Sequence, residues 1–156
     1  MKKLKVKKSQ LPWAGKGLYT LEDIKKGENI VEYLGEIVPW KVCAQRAKED
    51  KGGYVLYVNS KHCIDAYFTK DAIARYANDA KGLSRVEGLK NNCRYELEKK
   101  RGYIVARRNI KAGEEIFVDY GKDYWDVIKE NLKKEEQLKE KAKKNNAEIR
   151  SKVKSK

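Results

Sequence analysis

Glu114-Glu115-Ile116-Phe117-Val118-Asp119-Tyr120-Gly121, led in by Ala112-Gly113, lies in the last third of a chain of 156 residues. Read alone it is a glycine turn, a short apolar strand and a tyrosine at the strand's end. Such a unit is common in β proteins, and its meaning comes from what precedes it. Ala74-Arg75-Tyr76-Ala77-Asn78-Asp79 stands upstream, and Tyr33-Leu34-Gly35-Glu36 and Gly15-Lys16-Gly17-Leu18-Tyr19 stand further back. The last of these is too short for a phosphate-binding loop and lacks the spacing of a dinucleotide fingerprint. By itself it reads as a turn.

Between these segments the pattern is that of many short strands. Strands are expected at residues 4–6, 18–20 and 29–38, the last broken near Gly35. Residues 40–50 carry Val42, Cys43, Arg46 and Ala47 at helical spacing and stop before Gly52-Gly53. Residues 54–58 and 62–65 read as one hairpin. Residues 93–97 and 103–106 read as another, turning through Lys99-Lys100-Arg101-Gly102. A short helix is expected at 70–76, a polar loop at 81–91 and a last strand at 115–119. From Tyr124 onward glycine is absent and Glu, Lys, Leu and Ala dominate, so a helix follows, fraying after about residue 145.

In this order the four segments resemble a SET domain, the fold of one large class of protein lysine methyltransferases. The resemblance covers residues 4–125 and is of the compact type without a Cys-rich zinc segment after the last strand. It implies a mostly β fold with α, the β-clip or SET fold. Small curved sheets surround a pseudoknot that threads the Asn78 turn with the Tyr120 segment. The domain is placed at residues 1–125, with a basic helix or tail at 126–156. The cofactor implied is S-adenosylmethionine, leaving as S-adenosylhomocysteine, with no metal. Cofactor-binding positions by the resemblance are Trp13, Lys16, Gly17, Leu18, Tyr19, Arg75, Asn78, Asp79, Tyr120 and Trp125. Tyr120 matches the family's catalytic tyrosine, with Tyr33 beside it. Tyr33, Tyr57, Tyr67, Phe117 and Tyr124 are the implied walls of a lysine channel. Two positions depart from the family pattern: Asp79 stands where a His is usual, and Asn91 stands where a Pro precedes Asn92.

The chemistry explains why such residues are wanted. Methyl transfer is an in-line displacement, so positioning supplies much of the rate. The attacking lysine amine must be neutral, although its reference pKa is about 10.4. An apolar aromatic channel favours the neutral form, and a phenol can orient its lone pair.

Composition bounds the rest. The net charge of +14 sits at the ends: residues 1–8 hold five Lys and no acid, and residues 126–156 hold 11 basic and 6 acidic residues. Basic ends favour nucleic acid or an acidic protein as a neighbour. No run of 18 apolar residues occurs, so no membrane span is expected. Cys43, Cys63 and Cys93 form no C-x-x-C pair, which argues against zinc and a disulfide framework and for an intracellular compartment. A lone His, His62, makes a Ser-His-Asp mechanism improbable. The expected partner is a protein presenting a lysine, possible contact with nucleic acid runs through the basic termini, and the oligomeric state is open. Two other classes stand beside the enzyme. One is a SET-like or PR-like protein-binding module with weak or no catalysis, motivated by Asp79. The other is a basic β-barrel that stacks its ten tyrosines on bases.

Overall fold

The computed structural model describes residues 2–82 and 85–154, apart from the side chains of residues 123–125, 127, 128, 131 and 152–154. It divides into two units, the first ending at Asp119 and the second beginning at Tyr120.

The first unit contains three small antiparallel sheets. In the first, β1 (Leu4–Lys8) pairs with β2 (Lys16–Thr20), which pairs with a short later strand, Glu115–Ile116. Its core row is Val6, Leu18 and Ile116, with Leu18 and Ile116 fully buried. The long apolar stretch after Asn29 is split. β3 (Asn29–Glu32) and β4 (Glu36–Val38) enter different sheets. Gly35 permits the change, because a Cβ there would lie 2.6 Å from Asp65 O.

β4 joins β5 (Val55–Asn59) and β6 (His62–Asp65). α1 (Trp40–Lys48) covers that sheet, burying Cys43 against Val38 and Cys63. β3 joins the hairpin of β7 (Cys93–Glu98) and β8 (Arg101–Ala106). The turn of this hairpin is tighter than the sequence predicts. Glu98 pairs with Arg101, leaving Lys99 and Lys100 with φ of 50° and 65°. Two left-handed residues match the strand twist, which is why two-residue hairpins adopt this turn.

The helix expected at 70–76 is a single 3₁₀ turn, Ile73–Tyr76. The strand expected at 115–119 forms a ladder only as β9 (Glu115–Ile116). Beyond it the chain changes partners. Phe117 bridges Asn78 and Val118 bridges Cys93, both in parallel. The last strand is thereby threaded between the Asn78 and Cys93 segments.

Asn92, 1% exposed, fixes the thread. Its Nδ2 donates to Glu115 O at 2.8 Å, and its Oδ1 accepts from Phe117 N at 2.9 Å. Val118 N donates to Asn78 O at 2.8 Å. Each buried donor left unpaired would cost about 1–3 kcal/mol, so one asparagine secures the crossing.

The second unit holds α2 (Lys122–Lys154). It runs well past the fraying point expected near residue 145, since neither Gly nor Pro follows Gly121 to stop it. At 33 residues it is about 50 Å long. Among the described residues no helix is long and apolar enough to cross a membrane.

Candidate active site

A cleft of 340 Å³ opens in the first unit where the turn before β2 meets the 3₁₀ turn. One wall is backbone and small side chains, Ala14, Gly15 and Lys16, with Gly15 at φ 67°. The facing wall is Tyr54, Arg75 and Tyr76, and Asn78 closes the cleft between them. Asn78 Nδ2 donates to Lys16 O at 2.9 Å, so the two walls are tied across 62 residues of chain.

Arg75 is held on several sides. Its Nη1 donates to Ala66 O and Tyr67 O, each at 2.9 Å, and its Nη2 donates to Tyr76 Oη at 3.0 Å. The guanidinium lies 4.3 Å from the Tyr54 ring centre and 4.8 Å from that of Tyr76. Stacking of this kind suits a planar, weakly hydrated cation. Arg75 Nε is buried and has no hydrogen-bond partner among the described residues. Lys16 Nζ stands 5.8 Å from the Tyr76 ring, adding a second cation at the mouth.

Beneath the backbone wall lies a buried carboxylate. Glu115 is 1% exposed and accepts from Ser9 Oγ at 2.6 Å and Gln10 N at 2.9 Å. It pins the loop after β1 to β9, and Gly17 makes room for it. Burial and the nearby Glu115 push the Tyr19 phenol up to about 12, and its hydroxyl donates to Lys8 O at 2.7 Å. Tyr19 is therefore a proton-bearing strut and not a proton acceptor at neutral pH. Leu18, also expected at the cofactor, is core.

Asp79 is 2% exposed and sits directly after Asn78. Its Oδ1 accepts from Lys81 N and from Asn91 Nδ2, both at 2.8 Å. Asn91 Oδ1 in turn accepts from Ala80 N at 2.8 Å. Asp79 and Asn91 thus close the neck of the 81–91 loop as a pair. Asp79→Ala and Asn91→Ala should each destabilise the domain by about 1–3 kcal/mol, since each leaves buried groups unpaired. The double variant should cost less than the sum by roughly 0.5 kcal/mol or more. Urea denaturation of the four proteins checks this, and strict additivity would mean that the two side chains act separately.

The other expected residues are placed as follows. Tyr33 is buried with its ring edge-on to Tyr95 at 6.0 Å. Tyr67 lies 6.3 Å from Tyr54 and 5.0 Å from Phe68. Its backbone N donates to Asp65 Oδ1, while Arg46 Nη1 pairs with Asp65 Oδ2 at 2.8 Å. Phe117 is core, packed with Leu11 and Ala80. Tyr57 is half exposed against Trp40, and Trp13 is 40% exposed; neither lines the cleft. Tyr120 begins the second unit. The side chains of Tyr124 and Trp125 lie outside the described residues.

Tyr54 and Tyr76 line the cleft, and Ser9 and Glu115 hold the loop behind it, although the sequence named none of the four as site candidates. The position of Tyr76 beside Arg75 was the available signal for one of them. Burial pushes the Cys43 thiol up to about 11 and the Cys93 thiol up to about 12. Neither is therefore a thiolate nucleophile near neutral pH. The three cysteines are free and buried.

A family model described as SET domain matches residues 15–121, which include the threaded strand and every cleft-lining residue but Ala14. The chain belongs to the SET-domain family. Histone-lysine N-methyltransferase 2D of Homo sapiens is 32% identical over 120 residues, covering 72% of this chain and 2% of that protein. Histone-lysine N-methyltransferase ASHH1 of Arabidopsis thaliana is 31% identical over 120 residues, covering 71% of this chain and 23% of that protein. A solved structure of ctPRC2, in an autoinhibited conformation bound to S-adenosylmethionine, superposes with a TM-score of 0.63 at 28% identity. It covers 85% of this chain and 17% of that one. The SET domain here thus spans a small part of these relatives. Within the family pattern its two departures, Asp79 and Asn91, are hydrogen-bonded to each other.

Proposed function

We propose that this SET domain transfers a methyl group from S-adenosylmethionine to a lysine side chain of a protein. The observation that carries the reading is the cleft closed by Asn78, in which Arg75, Tyr54 and Tyr76 face a backbone wall of Ala14, Gly15 and Lys16. The cofactor is an amino acid joined through a sulfonium to adenosine, and the residues present suit it. Lys16 and Arg75 offer charge to its carboxylate, and the bare Gly15 backbone allows close approach. Tyr54 and Tyr76 offer aromatic faces, and Asn78 offers an amide. A volume of 340 Å³ lies in the range of small-molecule sites. When bound, the cofactor supplies an electrophilic methyl group and leaves as S-adenosylhomocysteine.

The chain's own residues have the remaining work. Tyr33 and Tyr67, with Tyr57 as an outer candidate, are assigned to the aromatic channel that favours a neutral amine; Phe117, which the family resemblance also implied for it, is packed in the core instead. By its match to the family's catalytic tyrosine, Tyr120 is assigned to accept one hydrogen bond from an N–H of that amine, which leaves the nitrogen lone pair free to face the methyl; Tyr33 is the second catalytic candidate. The substrate class is a protein lysine, consistent with relatives named as histone-lysine N-methyltransferases. No metal enters this scheme. A reducing, intracellular setting suits three free buried cysteines.

Titration calorimetry with S-adenosylmethionine tests the reading. One site per chain is expected, weakened on the order of tenfold or more in Arg75→Ala, a loss of about 1.4 kcal/mol per decade. No heat of binding from the parent protein would remove the methyltransferase assignment.

A further inference from the structure

We propose that the outer half of α2 is an arm that binds the phosphate backbone of duplex nucleic acid without reading its sequence. α2 is divided by charge. Residues 122–136 carry four basic and five acidic side chains, whereas residues 137–154 carry seven basic and two acidic ones. The inner half also neutralises itself: Lys122 pairs with Asp126 at 3.7 Å and Lys134 with Glu130 at 3.4 Å. Among the described residues, Lys139, Lys141, Lys143 and Lys144 form no ion pair, and all are exposed.

Lys139 and Lys143 stand four residues apart, and Arg150 falls on the same stripe three turns on from Lys139. Like charges at this spacing weaken a helix. The arm therefore holds an uncompensated row of cations that a polyanion would relieve.

Composition separates the polyanions. Single-stranded binders stack bases on aromatic side chains, and residues 126–156 contain none. Interfacial membrane helices bury Trp, Phe and Leu along one face. Here the exposed large apolar residues of the outer half are Leu138 and Ile149 alone among the described residues. What remains is the phosphate lattice of a duplex, which asks only for charge. The lysines near the start of the chain are a separate group: Lys2 is taken by Glu28 at 2.6 Å, and Lys7 of β1 lies over the Tyr19 ring.

The test is fluorescence anisotropy of the full chain with a labelled 20-base-pair DNA duplex across a salt series. A chain making four or five phosphate contacts should lose on the order of a hundredfold in affinity between 50 and 200 mM salt. Changing Lys139, Lys141, Lys143 and Lys144 together to Gln should flatten the log–log salt slope by about 3–4. Gln keeps helix propensity, so circular dichroism should show the helix intact. Changing Lys5, Lys7 and Lys8 to Gln should leave most of the slope in place. Absence of duplex binding at 50 mM salt overturns the proposal. So does a loss confined to the β1 variant, or tighter binding to a single-stranded 20-mer or to phosphatidylserine vesicles than to the duplex. Tyr120→Phe should bind duplex as the parent does, so the arm and the transferase reading stand or fall apart.

Discussion

Tyr120→Phe is expected to lower the rate of methyl transfer by a factor on the order of 10²–10³ while leaving S-adenosylmethionine binding within about twofold of the parent. The magnitude is that of removing one preorganised hydrogen bond at a reacting centre. The split between rate and binding follows from the division of labour proposed for the chain. Cofactor affinity is assigned to the cleft formed by Ala14, Gly15, Lys16, Tyr54, Arg75, Tyr76 and Asn78, all within the first unit. Tyr120 is assigned to the amine. Phe keeps the ring and its packing and removes only the hydroxyl. Single-turnover transfer of labelled methyl to mixed histones measures the rate, and calorimetry measures binding. A variant that retains full rate would take Tyr120 out of the mechanism. A variant that loses binding and rate together would place the residue at the cofactor instead.

The same division shows what the sequence made legible. Strand and turn patterning predicted the β-rich fold, the two hairpins and a helix from Tyr124 onward, and the threading of the last strand was implied by the family resemblance of the ordered motifs. Strand length there was overestimated because periodicity registers Phe117 and Val118 as strand. It cannot show that each changes partner, to Asn78 and to Cys93. Lys16, Arg75 and Asn78 were legible as site residues because each lies in a motif. Tyr54 was not, because a tyrosine beside a strand looks the same in core and cleft, and Tyr76, although inside the motif that holds Arg75, carried no signal of its own that told cleft from core. The role of Glu115 was hidden for another reason. Its partners Ser9 and Gln10 lie more than 100 residues away, and no local pattern marks a carboxylate that is buried. Asp79 and Asn91 appeared in the sequence as two separate exceptions, and only their shared hydrogen bond makes them one feature.

Gly17→Ala should be strongly damaging for a single added methyl group. A Cβ at Gly17 would overlap Glu115 Oε1 and lie 2.9 Å from Glu115 Cδ and 3.2 Å from Ser9 Cα. Overpacking of this kind costs about 1–3 kcal/mol. The easiest relief is to push the carboxylate aside, but that breaks its bonds to Ser9 and Gln10 and strands a buried acceptor, for roughly another 1–3 kcal/mol. A fall in Tm on the order of 5–15 °C follows for a domain of this size. Because β2 continues from Lys16, whose carbonyl holds Asn78, the cleft should lose cofactor affinity as well. The double variant Gly17→Ala/Glu115→Ala separates clash from lost bonds. With the carboxylate gone the methyl group has room, so the second substitution should add little to the first and leave the pair well short of additive. Full additivity in thermal unfolding would mean that the strain at Gly17 lies in the Ser9 backbone and that Glu115 yields freely.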